Sequence, residues 1–197
     1  MRLTNAIDLK LKDAEVIYYP NFFTTKEANT LFEALLNEVK WQQDTIKMFG
    51  KTHLQPRLTA FFANNQNRYK YSNIIMQPEM FNANLSRIKT IIENELKIEF
   101  TSCLANLYRT GNDSNGWHAD NEKELGEQPI IASVSFGAER VFHFKHRTDK
   151  QLKHKLILQN GSLLLMQGDT QNNWLHQIPK TKKTIGKRIN LTFRIIA

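Results

Sequence analysis

The stretch RINLTFRII, residues 188–196, alternates polar and apolar side chains, and this two-residue period is typical of a β-strand. Its apolar residues would share one face of a sheet: Ile189, Leu191 and Phe193. Its polar residues would share the other face: Arg188, Asn190, Thr192 and Arg194. A stripe with two arginines is costly to bury unless an anion satisfies it. A dicarboxylate would do so, because the arginine fork matches a carboxylate. The alternative is a stripe that faces solvent.

The whole second half of the chain has the texture of this strand. Further short runs are apolar or alternating: 102–109, 130–136, 140–147, 154–159, 162–167 and 173–179. Turn sequences separate them, and Asn160-Gly161 between two apolar runs predicts a β-hairpin. About seven or eight short strands separated by turns predict a jelly roll or barrel.

Two stretches of the first half have helical spacing instead. In residues 24–41 the apolar positions recur every three to four residues, and Thr24 or Thr25 is placed to cap the helix. Residues 78–96 show the same spacing, with Pro78 near the predicted start. We expect both helices to pack outside one sheet. The predicted fold is therefore mainly β with flanking helices, in the α+β class, with a jelly-roll core.

The composition fits one compact domain with a polyanionic partner. The chain has 197 residues, of which 41% are hydrophobic, and its formal net charge is +8. This positive excess favours nucleic acid as a partner. The single cysteine, Cys103, excludes an internal disulfide, which predicts a reducing compartment and a cytoplasmic protein. Since no apolar run approaches the roughly 20 residues that span a bilayer, we expect no membrane partner.

The stretch GWHADNE, residues 116–122, contains a candidate metal site. His118 and Asp120 are two residues apart, so on an extended segment both side chains point the same way. His176, in a distant predicted strand, is the best third ligand. Two histidines and one carboxylate form the facial triad of non-haem Fe(II) oxygenases. The remaining histidines are weaker candidates, because they lie in a basic hairpin or far upstream: His53, His143, His146 and His154.

Four segments together resemble the AlkB family of Fe(II)/2-oxoglutarate-dependent dioxygenases. They are NLYRTGNDSNGWHADNE (106–122), SVSFGAERVFHFKHR (133–147), GSLLLMQGDTQNNWLHQIPK (161–180) and RINLTFR (188–194). The likeness extends over about residues 45–197 and is nearest in pattern to the homologue that acts on duplex DNA. It implies a double-stranded β-helix core, which is a variant of the jelly roll.

The resemblance implies that one dioxygenase domain, residues 1–197, has four parts. Residues 1–44 would form an N-terminal extension and helix, and residues 45–77 a nucleotide-recognition lid. Residues 78–98 would form a supporting helix, and residues 99–197 the double-stranded β-helix catalytic core.

The resemblance also implies a role for each residue of its motifs. His118, Asp120 and His176 match the iron ligands. Arg188 matches the arginine that pairs with the distal carboxylate of 2-oxoglutarate, and Arg194 matches the second arginine, near the keto acid. Other matching positions hydrogen-bond this cosubstrate or complete its strand: Asn106, Tyr108, Asn190 and Thr192. The implied reaction consumes O2 and 2-oxoglutarate at Fe(II) and removes an alkyl group from a DNA base, releasing succinate, CO2 and formaldehyde.

Further upstream, the segment KMFGK (47–51) resembles the finger loop of the duplex-acting homologue. Phe49 would fill the gap left by a flipped base, as apolar wedges do in other DNA-bending proteins. Gly50 would permit a tight loop, and Lys51 would reach a phosphate. The alternative is that Phe49 is a core aromatic.

Four more residues are candidates for contacts with the flipped base. Tyr69 and Tyr71 lie in YKYS (69–72), and the resemblance places Tyr71 as the platform on which the base stacks. Asn121 and Glu122 directly follow the iron aspartate and would read the edge of 1-methyladenine or 3-methylcytosine. The alternatives are a core aromatic at Tyr71 and a solvated acid at Glu122.

Basic runs at 145–155 and 180–188 suit the DNA backbone. Candidate phosphate contacts in them are Arg147, Lys150, Lys182 and Lys183. The leading prediction is a monomeric enzyme that repairs alkylated DNA, both single-stranded and duplex. The alternatives are RNA or a protein side chain as the substrate, and a non-catalytic jelly roll that binds nucleic acid. The intact triad and arginine pair argue against the last.

Overall fold

The structure is a computed structural model that describes residues 2–48, 51–64, 69–71 and 74–196. Its helices are α1 (Thr25–Glu38), α2 (Ala83–Leu96) and α3 (Thr170–Asn173). The strands before α2 are β1 (Ile7–Asp8), β2 (Glu15–Tyr19), β3 (Thr45–Met48), β4 (Lys51–Leu54), β5 (Leu58–Ala63), β6 (Tyr69–Tyr71) and β7 (Ile74–Met76). The strands after it are β8 (Ser102–Tyr108), β9 (Asn115–His118), β10 (Ile131–Gly137), β11 (Arg140–His146), β12 (Lys153–Leu158), β13 (Ser162–Gln167), β14 (Trp174–Ile178) and β15 (Arg188–Arg194).

Within the described residues, the strands form two large antiparallel sheets. The major sheet has the order β1-β2-β13-β10-β15-β8-β5, and the minor sheet has the order β12-β11-β14-β9. Two small sheets, β3-β4 and β6-β7, complete the strand pairing. From β8 onward, successive parts of the chain alternate between the major and minor sheets. This is the double-stranded β-helix that the sequence predicts.

The major sheet separates two hydrophobic clusters. On its outer side, Leu31 and Leu35 of α1 and Ile88 and Ile92 of α2 pack against alternate strand residues such as Leu191. On its inner side, a second cluster joins it to the minor sheet: it includes Tyr108, Leu164, Phe142, Phe144 and Trp174. The prediction that both helices pack outside one sheet is therefore confirmed.

Both predicted helices exist, but the second begins later than expected. Thr24 caps α1: its hydroxyl accepts from the Glu27 N–H, and the Glu27 carboxylate accepts from the Thr24 N–H. The predicted start of α2 near Pro78 is wrong, because Glu79 exchanges backbone hydrogen bonds with β5 and is extended. The Asn82 side chain accepts from the Leu85 N–H, so α2 begins at Ala83.

The predicted hairpin at Asn160-Gly161 is wrong. β12 pairs with β11 in the minor sheet, whereas β13 pairs with β10 and β2 in the major sheet. The Asn-Gly turn therefore carries the chain from one sheet to the other. Gly161 has a φ of +80°, and a Cβ at this position would lie 2.6 Å from the Phe23 carbonyl oxygen. Asn160 accepts a hydrogen bond from the Gly137 N–H at 2.9 Å, which ties the turn to β10.

Several strands were absent from the sequence prediction. β2 and β5 lie before residue 99, yet both belong to the major sheet, and β5 falls inside the range 45–77 that we assigned to a lid. β9 was expected only as an extended or turn segment. Cys103 is fully buried, and burial raises the pKa of its thiol, so packing is the role it fills. Among the described residues, no helix combines the length and the apolar character needed to cross a membrane.

Candidate active site

A polar cavity lies between the two sheets, and alternate side chains of the strands in both sheets point into it. Residues of both sheets and of the segment after β9 line it: Leu104, Asn106, Tyr108, Asn115, His118, Asp120, Ser133, Phe142, Met166, His176, Ile178, Arg188, Asn190, Thr192 and Arg194. All metal and cosubstrate positions predicted from the sequence are therefore brought to one place.

The predicted metal ligands converge at one end of this cavity. His118 ends β9 and pairs in register with His176 of β14, and Asp120 follows two residues later. One potential ligand atom from each of the three residues lies within 4.8 Å of the others. The two imidazole rings are 4.3 Å apart between centroids, and the His176 ring stacks on Phe142. This is a set of two nitrogen donors and one oxygen donor.

The protonation states suit metal binding. Burial would raise the pKa of Asp120, but the nearby charges of Arg194 and the two histidines lower it to about 2. Burial and the neighbouring His118 lower the pKa of His176 to about 3, and burial also lowers the pKa of His118. Near neutral pH the site therefore presents an ionised carboxylate and two neutral imidazoles, which are the forms that coordinate a cation.

Backbone and amide groups orient these ligands. The Gly116 carbonyl oxygen lies 2.7 Å from His118 Nδ1 and can only accept, so Nδ1 carries the proton and Nε2 keeps its lone pair. Asn115 Nδ2 lies 3.1 Å from that Nε2 atom. The Asp120 N–H donates to Gln171 Oε1 at 2.9 Å, which fixes the backbone beside the carboxylate. Buried Gln171 belongs to the short helix α3 and was not predicted from the sequence.

The far end of the cavity is built around Arg188. Its guanidinium donates from Nη2 to Ser135 Oγ at 2.9 Å and lies 5.1 Å from the centre of the Tyr108 ring. The Nε and Nη1 atoms are also buried, and they make no hydrogen bond to any described residue. Burial lowers the pKa of Arg188 to about 10, so the side chain stays cationic near neutral pH. Buried donors without acceptors call for an anionic ligand.

Arg194 lies at the other end of the same strand face, beside the metal ligands. It donates from Nη2 to Asp120 Oδ1 at 2.7 Å, and both side chains are about 3% exposed. The pair keeps Asp120 ionised although the carboxylate is buried. The resemblance places Arg194 near the keto-acid end of the cosubstrate, and the ion pair brings its guanidinium against a predicted metal ligand as well.

The remaining cosubstrate positions form hydrogen-bonded pairs along the cavity wall. Asn190 donates to Ser133 Oγ at 2.8 Å, and Thr192 donates to Asn190 Oδ1 at 3.1 Å. Asn106 Oδ1 accepts from Arg57 Nε at 2.7 Å, so the amide NH2 of Asn106 is left to donate. Arg57 is 4% exposed and was not predicted; a lone arginine before the apolar run LTAFFA was the available signal.

Two of the predicted substrate residues are described with their side chains, and neither lines this inner cavity: Asn121 and Glu122. Asn121 is exposed and Glu122 is half-buried, directly after Asp120. Lys51 begins β4, and both tyrosines lie on β6: Tyr69 and Tyr71. Phe49 and Gly50, the centre of the predicted finger, lie outside the described residues. These roles stay predictions.

Comparison with known proteins agrees with this site. The family model described as the 2OG-Fe(II) oxygenase superfamily matches residues 15–194. "DNA oxidative demethylase ALKBH2" of Homo sapiens is 35% identical over 188 residues, covering 90% of this chain and 72% of that protein. "Alpha-ketoglutarate-dependent dioxygenase alkB homolog 3" of Bos taurus is 40% identical over 192 residues, covering 93% of this chain. The chain belongs to the AlkB family.

Membership of the AlkB family accounts for the fold and for the donor sets of the cavity. A solved structure titled "The structure of OsALKBH1" matches with a TM-score of 0.66 and 15% identity, covering 96% of this chain and all of that one, so it supports the fold alone. The superfamily is named for Fe(II) and 2-oxoglutarate, which fit the His-Asp-His cluster and the orphaned donors of Arg188. The chain spans 66% of the length of bovine alkB homolog 3.

Proposed function

We propose that this AlkB-family chain is an Fe(II)- and 2-oxoglutarate-dependent dioxygenase that removes alkyl groups from DNA bases. One observation carries the proposal. A single buried cavity has a two-histidine, one-carboxylate cluster at one end and a buried arginine with unused donors at the other. A metal alone would explain only the first of these. A metal together with a dicarboxylate explains both.

In this proposal His118, Asp120 and His176 hold Fe(II), which together with 2-oxoglutarate and O2 supplies an oxidant able to hydroxylate an N-alkyl carbon. Arg188 binds the distal carboxylate of 2-oxoglutarate and fixes the depth at which it enters. Asn106 and Tyr108 donate hydrogen bonds to the same molecule, with Asn190, Thr192 and Arg194 forming the polar wall: these groups orient the cosubstrate.

The overall reaction balances without another reductant. The two electrons that 2-oxoglutarate loses on decarboxylation and the two from the alkyl carbon reduce one O2. One oxygen atom enters succinate, and the other enters the alkyl group. The resulting hemiaminal collapses to formaldehyde and the unmodified base. The contribution of the chain is to orient the reactants and to exclude water, and the low exposure of Asp120, His176 and Arg188 serves the second.

The alkylated base must leave the DNA stack to reach this site. We assign the stacking contact to Tyr71, with Tyr69 beside it on the same strand. Asn121 and Glu122 would read the pairing edge of 1-methyladenine or 3-methylcytosine, because a carboxylate accepts from an exocyclic amine. Within the range 45–77 predicted as a lid, the part that follows β5 would carry the stacking residues over the mouth of the cavity.

We further propose that the chain acts on both duplex and single-stranded DNA, as a monomer. Phe49, Gly50 and Lys51 would form the finger that holds a duplex open, with Arg147, Lys150, Lys182 and Lys183 as its phosphate contacts. The relatives named alkB homolog 3 are 37–40% identical to this chain, and those named ALKBH2 are 34–36% identical, so identity alone does not favour either group. The cytoplasmic location stays a prediction.

The decisive experiment measures succinate and formaldehyde released by the metal-loaded protein. Three substrates carry 1-methyladenine: single-stranded DNA, duplex DNA and RNA. The fourth is a peptide that carries methyl-lysine. We expect turnover with DNA. Turnover confined to RNA or peptide would replace the substrate assignment, and DNA binding without any turnover would favour the non-catalytic jelly roll. Phe49→Ala should lower activity on duplexes more than on single strands; equal losses contradict the finger.

A further inference from the structure

The outer surface of the minor sheet carries an exposed tryptophan among lysines. On β11 and β14 buried residues such as Phe142 and His176 line the cavity, so their neighbours in the alternation point outward. Trp117 precedes His118 on β9 and is 39% exposed, on the side opposite the metal ligands. We call this surface the outer minor face: Trp117, Val141, His143, Lys145, Lys153, Lys155, Ile157, Leu175 and Gln177.

Trp117 is held as a flat platform on this face. The Lys145 ammonium lies 4.4 Å from the centre of its ring, and the His143 ring stacks beside it at 6.4 Å with an interplanar angle of 28°. The lysine and the histidine fix the indole orientation while part of the ring stays open to solvent. An exposed aromatic ring bordered by cations is how proteins bind single-stranded nucleic acid, because every base offers a π-face for stacking.

The outer minor face carries positive side chains without acidic ones, which favours binding of a polyanion. The strands of the minor sheet, all of whose residues are described, contain no aspartate or glutamate. Lys145 and Lys153 lie directly opposite each other, and like charges in register destabilise a sheet. Lys155 lies opposite His143, whose pKa is lowered by burial and by Lys155 itself. None of these three lysines forms a salt bridge with a described residue. Bound phosphates would relieve this repulsion.

A groove extends the face toward the segment before β15. It has a volume of about 400 Å³ and is lined by outer-face residues, including His143, Lys155 and Ile157, and by Lys180 and Lys183. Glu139 is the acidic residue among its described lining groups. The groove therefore continues the basic surface away from Trp117.

We propose that the outer minor face binds single-stranded DNA, with one base stacked on Trp117 and the adjoining phosphates on Lys145 and Lys155. The inference rests on the proposed function, since it supplies a docking track for the strand that flanks the damaged base. Trp117 and His118 are consecutive on an edge strand, so a DNA strand leaving the active site passes around that edge to reach the indole. The site would thus hold undamaged DNA independently of iron and 2-oxoglutarate.

Binding of a labelled, unmethylated oligothymidylate of about 15 bases to the metal-free protein tests this inference. Trp117→Ala should weaken binding by at least about fivefold, the low end for loss of one stacked base, whereas Trp117→Phe should retain most of the affinity. Ile7→Ala, which removes an exposed apolar side chain from the major sheet, is the matched control and should change nothing. An equally long abasic strand should bind wild type and Trp117→Ala alike.

Two further measurements separate stacking from charge. Tryptophan emission of the wild type should fall on saturation with the oligonucleotide. Trp117→Phe should lose that response, since Trp174 is buried and Trp41 packs against the cluster on the opposite side of the major sheet. Replacing Lys145 and Lys155 together by glutamine should reduce the salt-dependence slope by about 1.4, or roughly 0.7 per phosphate, whereas replacing Lys26 and Lys40 should not.

The outcomes distinguish this inference from the proposed function. If the enzyme demethylates DNA but Trp117→Ala binds the oligonucleotide within twofold of wild type, the outer minor face is not a DNA site and the enzyme assignment stands. Unchanged emission at saturation has the same meaning. If binding depends on Trp117 but methylated DNA gives no turnover, the surface is supported and the proposed reaction fails.

Discussion

The two faces of β15 are both buried, but for opposite physical reasons. Ile189, Leu191 and Phe193 are fully buried beneath α1 and α2, and removing their apolar surface from water stabilises the fold. The alternate residues are also at most 7% exposed, yet they are polar: Arg188, Asn190, Thr192 and Arg194. Burying those groups costs stability unless a ligand satisfies them. One strand therefore separates the residues that stabilise the fold from those that serve its function.

The strongest way to break this comparison is to remove a functional group that faces β15 across the cavity. His118→Ala deletes a proposed metal ligand whose side chain is 25% exposed, so little packing is lost. We expect turnover to fall by more than about 100-fold. Added metal should raise the melting temperature of the wild type but not of the variant. His154→Ala, on the β11–β12 hairpin, is the control; equal loss of activity there would contradict the assignment.

The reverse test removes an apolar residue from the face of β15 that packs beneath α1 and α2. Phe193 packs against Phe100 with ring centroids 6.1 Å apart and has no exposed surface. Phe193→Ala should lower the free energy of unfolding by about 3–5 kcal/mol, because it removes buried surface and leaves a cavity. Urea denaturation measures this. Turnover per folded molecule should stay near the wild-type value, and a specific loss of turnover would show that the two faces are not independent.

An inner-face substitution should have the opposite profile. Arg188→Met keeps most of the side-chain volume but removes the charged donors. The KM for 2-oxoglutarate should rise by roughly 10- to 100-fold, the worth of about 1.5–3 kcal/mol in charge-assisted hydrogen bonds. Stability without ligand should be unchanged or higher, because no described carboxylate pairs with Arg188 in the fold. If Arg188→Met destabilised the fold as much as Phe193→Ala does, the two faces of β15 would not differ in what they contribute to stability.

The smallest effect is expected at the surface of the helix that covers the outer face. The hydrogen bond from Arg2 holds the pKa of Glu27 at about 2, below its ordinary value of 4.5. A carboxylate whose pKa is lower in the folded protein stabilises the fold at pH values above its ordinary pKa, and this contribution is lost as the pH falls toward 2. Glu27→Gln should therefore cost roughly 0.5–1 kcal/mol near neutral pH. The melting temperatures of the two proteins should converge near pH 2, where the Glu27 carboxylate becomes protonated. A difference in melting temperature that persists at that pH contradicts the ion pair.

The inner face of β15 and the pairing of His118 with Asp120 could be predicted from the sequence, because both depend on the two-residue alternation of side chains along an extended segment. A two-residue alternation places Arg188 and Arg194 on one face whatever the neighbouring strands are. The i and i+2 spacing of His118 and Asp120 acts in the same way. His176 was chosen as the best remaining histidine and matched by the resemblance, but only the fold brings it beside the other two.

What the sequence did not reveal depends on which strand pairs with which. Asn160-Gly161 satisfies any tight turn that needs a positive φ, so the dipeptide could not distinguish a hairpin from a crossing between sheets. Arg57 and Gln171 act through Asn106 and Asp120, and each is about 50 positions from its partner. Long-range contacts of this kind leave no local pattern, and the same is true of β2 and β5 as members of the major sheet.

The alternation of the chain between sheets has a consequence for folding. β8, β10, β13 and β15 belong to one sheet while β9, β11, β12 and β14 belong to the other, so neither wall of the cavity is encoded by a continuous segment. Apart from the β11–β12 hairpin, every pairing that involves these eight strands joins residues far apart in the chain, which gives a high contact order and predicts refolding in milliseconds to seconds rather than microseconds. Fragments that end before β15 would lack the strand that joins β10 to β8, and with it Arg188 and Arg194, so we expect them to lack the polar cavity.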